Sequence, residues 1–186
     1  MMRRALIAAV LLVSAPALAQ LVTFPGVGGG GGGVVVSTTG PVNLTGTTAE
    51  TNLASLRIPA NSMGKNGAVE IKALWSYTNS ANVKTLQPRF TSTAGATSGG
   101  VLWPNAAPTT TASFQMLLIL HNNNATNSQT AFANAGGSPF ASTASAIATS
   151  SLDTTADTFI NLNGALALST ETLTLQRATA TVFYAP

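Results

Sequence analysis

Residues 68–77 alternate between two kinds of surface. Val69, Ile71, Ala73, Trp75 and Tyr77 fall on one side of an extended chain, and Glu70, Lys72, Leu74 and Ser76 fall on the other. Successive side chains of a β-strand point to opposite faces, so a strand with one face in a core collects that set. The β-branched and aromatic content agrees with this, and Trp75 in the middle of the apolar face reads as a core anchor. The turn pair Asn66-Gly67, which tolerates positive φ, marks where the strand begins.

The same reading extends along the chain. Residues 53–58 form a strand ended by Pro59. Residues 83–90 form another, and Pro88 within it calls for a sheet edge or a bulge. Residues 114–120 are apolar on both faces, with Phe114, Met116, Leu118 and Leu120 on one and Leu117 and Ile119 on the other. A short buried helix fits that hydrophobicity, but the polar boundaries at Ser113 and His121 suit a central strand or one covered by a neighbouring subunit. Further short strands are expected over 128–133, 158–163, 171–176 and 178–184, while the Ala/Ser/Thr-rich stretch 138–151 reads as a small helix or a surface loop. A series of short strands divided by Asn, Gly, Ser and Pro predicts an all-β chain, an antiparallel β-sandwich of jelly-roll-like form.

Two segments precede that domain. Residues 1–19 are signal-like: basic Arg3 and Arg4, an apolar run over 5–13, and the small-x-small motif Ala17-Leu18-Ala19, whose cut leaves Gln20 or Leu21 as the new N-terminus. The run is shorter than the roughly 20 residues that span a bilayer, so no membrane association is expected after cleavage. Residues 20–33 contain six consecutive glycines, Gly28–Gly33, and read as a flexible linker, because a phosphate-binding loop would need a lysine and a hydroxyl at fixed offsets. The sandwich is then 34–186.

Charge and cysteine usage narrow the chemistry. Charged residues make up 7% of the 186 and the net charge is +3; removing Arg3 and Arg4 leaves six basic residues against five acidic ones. The basic residues are scattered, so no cluster exists to displace counterions from nucleic-acid phosphates, and no nucleic-acid partner is expected. There is no cysteine and a single histidine, His121, at the edge of an Asn-rich turn. No Gly-x-Ser-x-Gly elbow occurs. The expectation is therefore a non-enzymatic protein without cofactor or transition metal. Asp153 and Asp157 read first as turn residues, with weak calcium binding as the alternative use of their carboxylates. Glu50 and Glu70 are placed to pair with Arg57 or Lys72. Trp103, in a Gly- and Pro-flanked loop, and Asn105, Asn122 and Asn123 are the candidates for an exposed contact, where an aromatic ring stacks on a sugar or inserts into a neighbouring subunit. So few charges leave little repulsion between copies and favour assembly.

The blocks Gly46–Leu53, Ile58–Gly67 and Leu74–Asn82, continued by Lys84-Thr85-Leu86, Ala156–Ile160 and Leu173-Thr174-Leu175, resemble small virion-associated proteins of tailed bacteriophages and prophages. The resemblance spans roughly residues 46–184. It implies a β-sandwich particle component, such as a tail, fibre or head-decoration protein, partnered by copies of itself or by other virion proteins. It carries no catalytic motif. The signal-like leader points instead to a secreted or periplasmic module that binds a host surface or carbohydrate, so the expected location is the virion, or outside the cytoplasm if the leader is cut.

Overall fold

The computed structural model describes residues 17–18, 20–22, 33–100, 102, 105–107, 111–134 and 147–186. Thirteen strands follow in chain order: β1 (Ala17–Leu18), β2 (Gln20–Val22), β3 (Val34–Ser37), β4 (Val42–Leu44), β5 (Thr51–Ile58), β6 (Ala68–Tyr77), β7 (Lys84–Thr91), β8 (Asn105–Ala107), β9 (Ser113–Asn122), β10 (Gln129–Asn134), β11 (Ala148–Ser150), β12 (Thr158–Leu166) and β13 (Leu173–Phe183). They make two sheets. The smaller runs β1-β5-β12-β7-β8, and the larger runs β11-β10-β9-β6-β13-β3-β2 with β4 also on β13. Every pairing is antiparallel except β1 on β5. The long-range pairings are nested: β3 with β13, β5 with β12, β6 with β9 and β7 with β8.

The inner faces of the two sheets share one core. β6 contributes Val69, Ile71, Ala73, Trp75 and Tyr77, the face its alternation selects, and β9 contributes Phe114, Met116, Leu118 and Leu120. Trp75 is fully buried, as a core anchor should be, although its Nε1 has no hydrogen-bond partner. β9 lies between β10 and β6, so the strand reading of 114–120 holds and its position is central, with Leu117 and Ile119 half-buried on the outer face.

Three sequence expectations change in the structure. Residues 171–176 and 178–184 are not two strands: β13 is continuous, with its register shifting between Leu175 and Arg177. Leu173 and Leu175 point inward, and so do Ala178, Ala180 and Val182, an odd offset that a bulge absorbs by turning Gln176 and Arg177 both outward. Pro88 sits inside the ladder with β12, opposite Leu162, but β8 covers β7 only from Lys84 to Leu86. Phe90 N–H donates to Gly100 on that uncovered side, so the amide hydrogen Pro88 lacks would have faced the same side, away from β12. Gly67 is needed for space rather than for positive φ. A Cβ there would lie 1.8 Å from the Met63 carbonyl oxygen, and the left-handed residues of this turn are Asn61 and Gly64.

Of the stretch 138–151, the described part ends in strand β11; the rest lies outside the described residues, as does most of 1–33. Ala17 and Gln20, at the expected cut, stand in β1 and β2 opposite Ala54 and Ser37.

The two faces of β9 predict opposite mutational costs. Leu118→Ala, which empties a fully buried site, should lower the unfolding free energy in urea by about 2–5 kcal/mol. Leu117→Ala on the outer face should cost about 1 kcal/mol or less.

Candidate contact surfaces and the polar scaffold that holds them

The outer face of the smaller sheet is a ladder of amides. β12 places Asn161 and Asn163 there, both fully buried beneath the loop that runs from Ser92 to Gly100. Asn161 Nδ2 donates to Thr91 Oγ1 at 2.8 Å and to the Thr93 carbonyl at 2.9 Å, while its Oδ1 accepts from Ser55 Oγ at 2.6 Å and Gly95 N at 2.9 Å. Asn163 Nδ2 donates to the Ala96 carbonyl at 2.9 Å and to Glu50 Oε1 at 2.7 Å, and Asn52 Nδ2 donates to Asn163 Oδ1 at 2.8 Å. Glu50 in turn takes Arg89 in a two-point pair, Nε to Oε1 at 2.7 Å and the second guanidinium nitrogen to Oε2 at 2.8 Å. The Arg89 guanidinium holds the Glu50 carboxyl below its ordinary value, with help from Asn163 and against a counter-effect of burial, and Glu50 raises Arg89. The expected partners of Glu50, Arg57 or Lys72, are thereby corrected: Arg57 pairs with Asp157 at 2.7 Å and Lys72 with Glu70 at 2.7 Å.

A second buried pair fastens two turns. Lys84 opens β7 with its side chain wholly buried, and its Nζ donates to Ser80 Oγ at 2.6 Å and to the Asn82 carbonyl at 2.8 Å. Glu171 Oε2 stands 3.1 Å from Nζ as a charge contact without hydrogen-bond alignment, and Oε1 accepts from Asn82 Nδ2 at 2.9 Å. Asn82, Ser80 and Lys84 hold the Glu171 carboxyl low. Neither buried pair is marked in the sequence, where these lysines, arginines and acids look like scattered surface charges.

The loops at one end of the sandwich are knitted by Asn122 and Gln129. Asn122 is buried; its Nδ2 donates to the Gly64 carbonyl at 2.6 Å and to Thr154 Oγ1 at 3.0 Å, and its Oδ1 accepts from Gln129 Nε2 at 2.9 Å. Asn123 beside it is exposed and meets Thr130. Asp153 accepts from Thr155 N at 2.9 Å and Thr155 Oγ1 at 2.8 Å, the turn geometry expected of it. Asp157 is engaged by Arg57 and by Ala60 N at 2.9 Å. Thr155 holds the Asp153 carboxyl low, and Arg57 with the Ala60 amide does the same for Asp157. The two carboxylates thus serve separate partners, and among the described residues no group of three or more His, Cys, Asp or Glu could hold a metal ion. His121 is exposed near the end of β9. Asn105 stands in β8 opposite Leu86, and Trp103 lies outside the described residues.

Two surfaces remain for contact. The larger sheet turns an open face outward. At its centre the β13 bulge sets Arg177 opposite Leu74, and Lys72, Gln115 and Thr179 complete a shallow depression of about 300 Å³. Leu74 is 47% exposed and Phe183, farther along β13, is 48% exposed. A bulge is a device for re-aiming a side chain, and here it sets a guanidinium beside the exposed Leu74. The other surface is a depression of about 490 Å³ between the 92–100 loop and β11, lined by Thr91, Thr93, Ser98, Thr149, Ser150 and neighbouring glycine backbone. Its walls are uncharged, hydroxyls and peptide groups mixed with the apolar side chains of Phe90, Ala96 and Leu152. Sequence reasoning placed contact on loop residues and touched the open face only through Leu117 and Ile119; the part around Leu74 and Arg177, signalled by the offset in β13, was missed.

Compared with known proteins, the chain matches no family model and no curated protein.

The buried carboxylates fix a pH response. A carboxyl held low in the folded state stabilises the fold fully above its unfolded value, and that contribution disappears as pH falls through the folded value. Stability in urea should therefore be level near neutrality and decline once pH drops below the ordinary glutamate value of 4.5. Glu50→Gln should be less stable than the parent at pH 7 and should lose less on acidification; an unchanged acid profile would separate Glu50 from the effect.

Proposed function

We propose that this protein is a structural component of a tailed-bacteriophage or prophage particle, a tail, fibre or head-decoration protein that works by assembly and surface presentation without catalysis. The observation that carries the reading is the open face of the larger sheet, where Leu74 lies beside Arg177 and where Leu117, Ile119 and Phe183 stand outward farther along the ladders, interspersed with Lys72, Glu70 and threonines. An antiparallel sheet that faces only water ordinarily carries polar residues outward. Partly exposed apolar side chains among polar ones, on a protein with little charge to repel a neighbour, suit a protein–protein contact. Four of the five acidic residues are already taken by ion pairs within the chain. The resemblance of residues 46–184 to virion-associated proteins points the same way.

The finer fold assignment belongs to this reading. Counting β3, β5, β6, β7, β8, β9, β12 and β13 as eight successive strands, first pairs with eighth, second with seventh, third with sixth and fourth with fifth. That order supports reading the chain as a long hairpin rolled over into two sheets, a jelly roll, with β10 and β11 as an inserted extension. Jelly rolls serve both capsid and lectin domains, so the fold alone does not choose between them.

The second reading, a secreted or periplasmic module that binds carbohydrate or a host surface, is favoured by the hydroxyl-lined depression beside the 92–100 loop. The two readings use different surfaces and separate cleanly. Leu74→Asp leaves the core untouched, so its melting temperature should match the parent, while its copy number in purified particles should fall by tenfold or more. Retention at parental copy number would overturn assembly through this face.

A further inference from the structure

We propose that Ala17–Leu18 is a removable guard on the edge of the smaller sheet, and that the chain beginning at Gln20 uses the uncovered edge of β5 to pair with a second copy of itself. The inference needs only the folded domain and does not rest on the particle reading.

Exposed strand edges are templates for further pairing, and proteins protect them by keeping them short, charging them or covering them. The outermost strands β11 and β2 of the larger sheet and β8 of the smaller are three residues each. β5 is different. It has eight residues, Thr51–Ile58, with β12 along one side. Among the described residues, the other side of β5 in its sheet is taken by β1 alone, which pairs with Ala54 and Ser55. β5 carries no internal proline, and its one charge, Arg57, is tied to Asp157 at 2.7 Å. The strand therefore lacks the usual defences, and its cover is a two-residue parallel pairing, the weaker kind per residue.

The placement of that cover gives it its meaning. Ala17 and Leu18 sit on β5 in one sheet, and Gln20–Val22 sit on β3 in the other. The segment thus crosses between the sheets at the expected processing site, Ala17-Leu18-Ala19. A cut after Ala19 removes β1 entirely and spares β2. The buried hydrophobic residues from Val36 to Val182 all lie beyond the cut and remain in the shortened chain. What it loses is the guard. Two β5 edges meeting about a two-fold axis satisfy each other's backbone groups and join the two smaller sheets into one. The edge carries one charge, Arg57, already paired with Asp157, so like-charge repulsion between two copies of β5 is small.

The test compares purified Met1–Pro186 with Gln20–Pro186 by light scattering and by amide exchange read over residues 51–58, each across a hundredfold range of concentration. The Gln20 chain should double in mass as concentration rises, with protection of 51–58 rising in step, while the Met1 chain shows protection of 51–58 that does not vary with concentration. Leu18→Pro in the full chain strips β1 of its amide hydrogen and should reproduce the concentration-dependent protection without any truncation. A Gln20 chain that stays monomeric, or one that dimerises with new protection at 68–77 in place of 51–58, would overturn the proposal. So would a Met1 chain whose 51–58 protection depends on concentration as the Gln20 chain's does.

Discussion

Neutral hydrogen bonds do in this protein what charge does in most. With 7% charged residues, the chain has little electrostatic means of fixing its loops, and it uses side-chain amides and hydroxyls instead. Asn161 and Asn163 sit fully buried on the outer face of the smaller sheet and tie the 92–100 loop to β5, β7 and the Glu50–Arg89 pair. Asn122 and Gln129 do the same for three loops at one end of the sandwich. A net hydrogen bond contributes only about 0.5–1.5 kcal/mol, but a buried polar group left without a partner costs about 1–3 kcal/mol. Such networks therefore hold together as units. Removing one amide strands several partners at once, and the loops they fix form much of the surface offered to other molecules.

The same economy governs the charges. Lys84–Glu171 and Arg89–Glu50 are largely withdrawn from water, and each takes further hydrogen bonds from neighbouring groups, although Glu171 Oε2 has only its charge contact with Lys84. Breaking one partner of such a pair is costly because the other remains buried. Among the described residues, what is left outside is sparsely charged: Arg177 on the bulge of β13, the exposed Lys65 and Asp153, and exposed pairs such as Lys72–Glu70. A surface of that kind gives weak long-range steering and weak long-range repulsion, so association depends on shape and apolar contact.

Much of the fold was legible because period-two alternation records which face is buried. β6 and β9 were readable residue by residue, and β5 was bounded by its proline. Legibility failed where the period slips. The odd spacing between Leu175 and Ala178 looked like a break between strands, although it marks the bulge that aims Arg177. It failed too where polar residues are buried. Asn161, Asn163 and Lys84 carry no apolar signature, and only the loops and turns that fold over them reveal their burial. The candidate surfaces were the least legible part. Loop asparagines suggested contact, yet Asn122 bonds inward to Gly64, Thr154 and Gln129, while the open face of the larger sheet is drawn from strands far apart in sequence.

The motif at which the leader would be cut also contributes strand β1, so processing there would change the edge of the smaller sheet. The proposed role in a particle is tested most directly by counting copies of the protein, and identifying its N-terminus, in purified particles alongside periplasm and medium from the producing cells. The account predicts a fixed stoichiometry in the particle. Protein found only outside the cytoplasm, beginning near Gln20 and absent from particles, would contradict it.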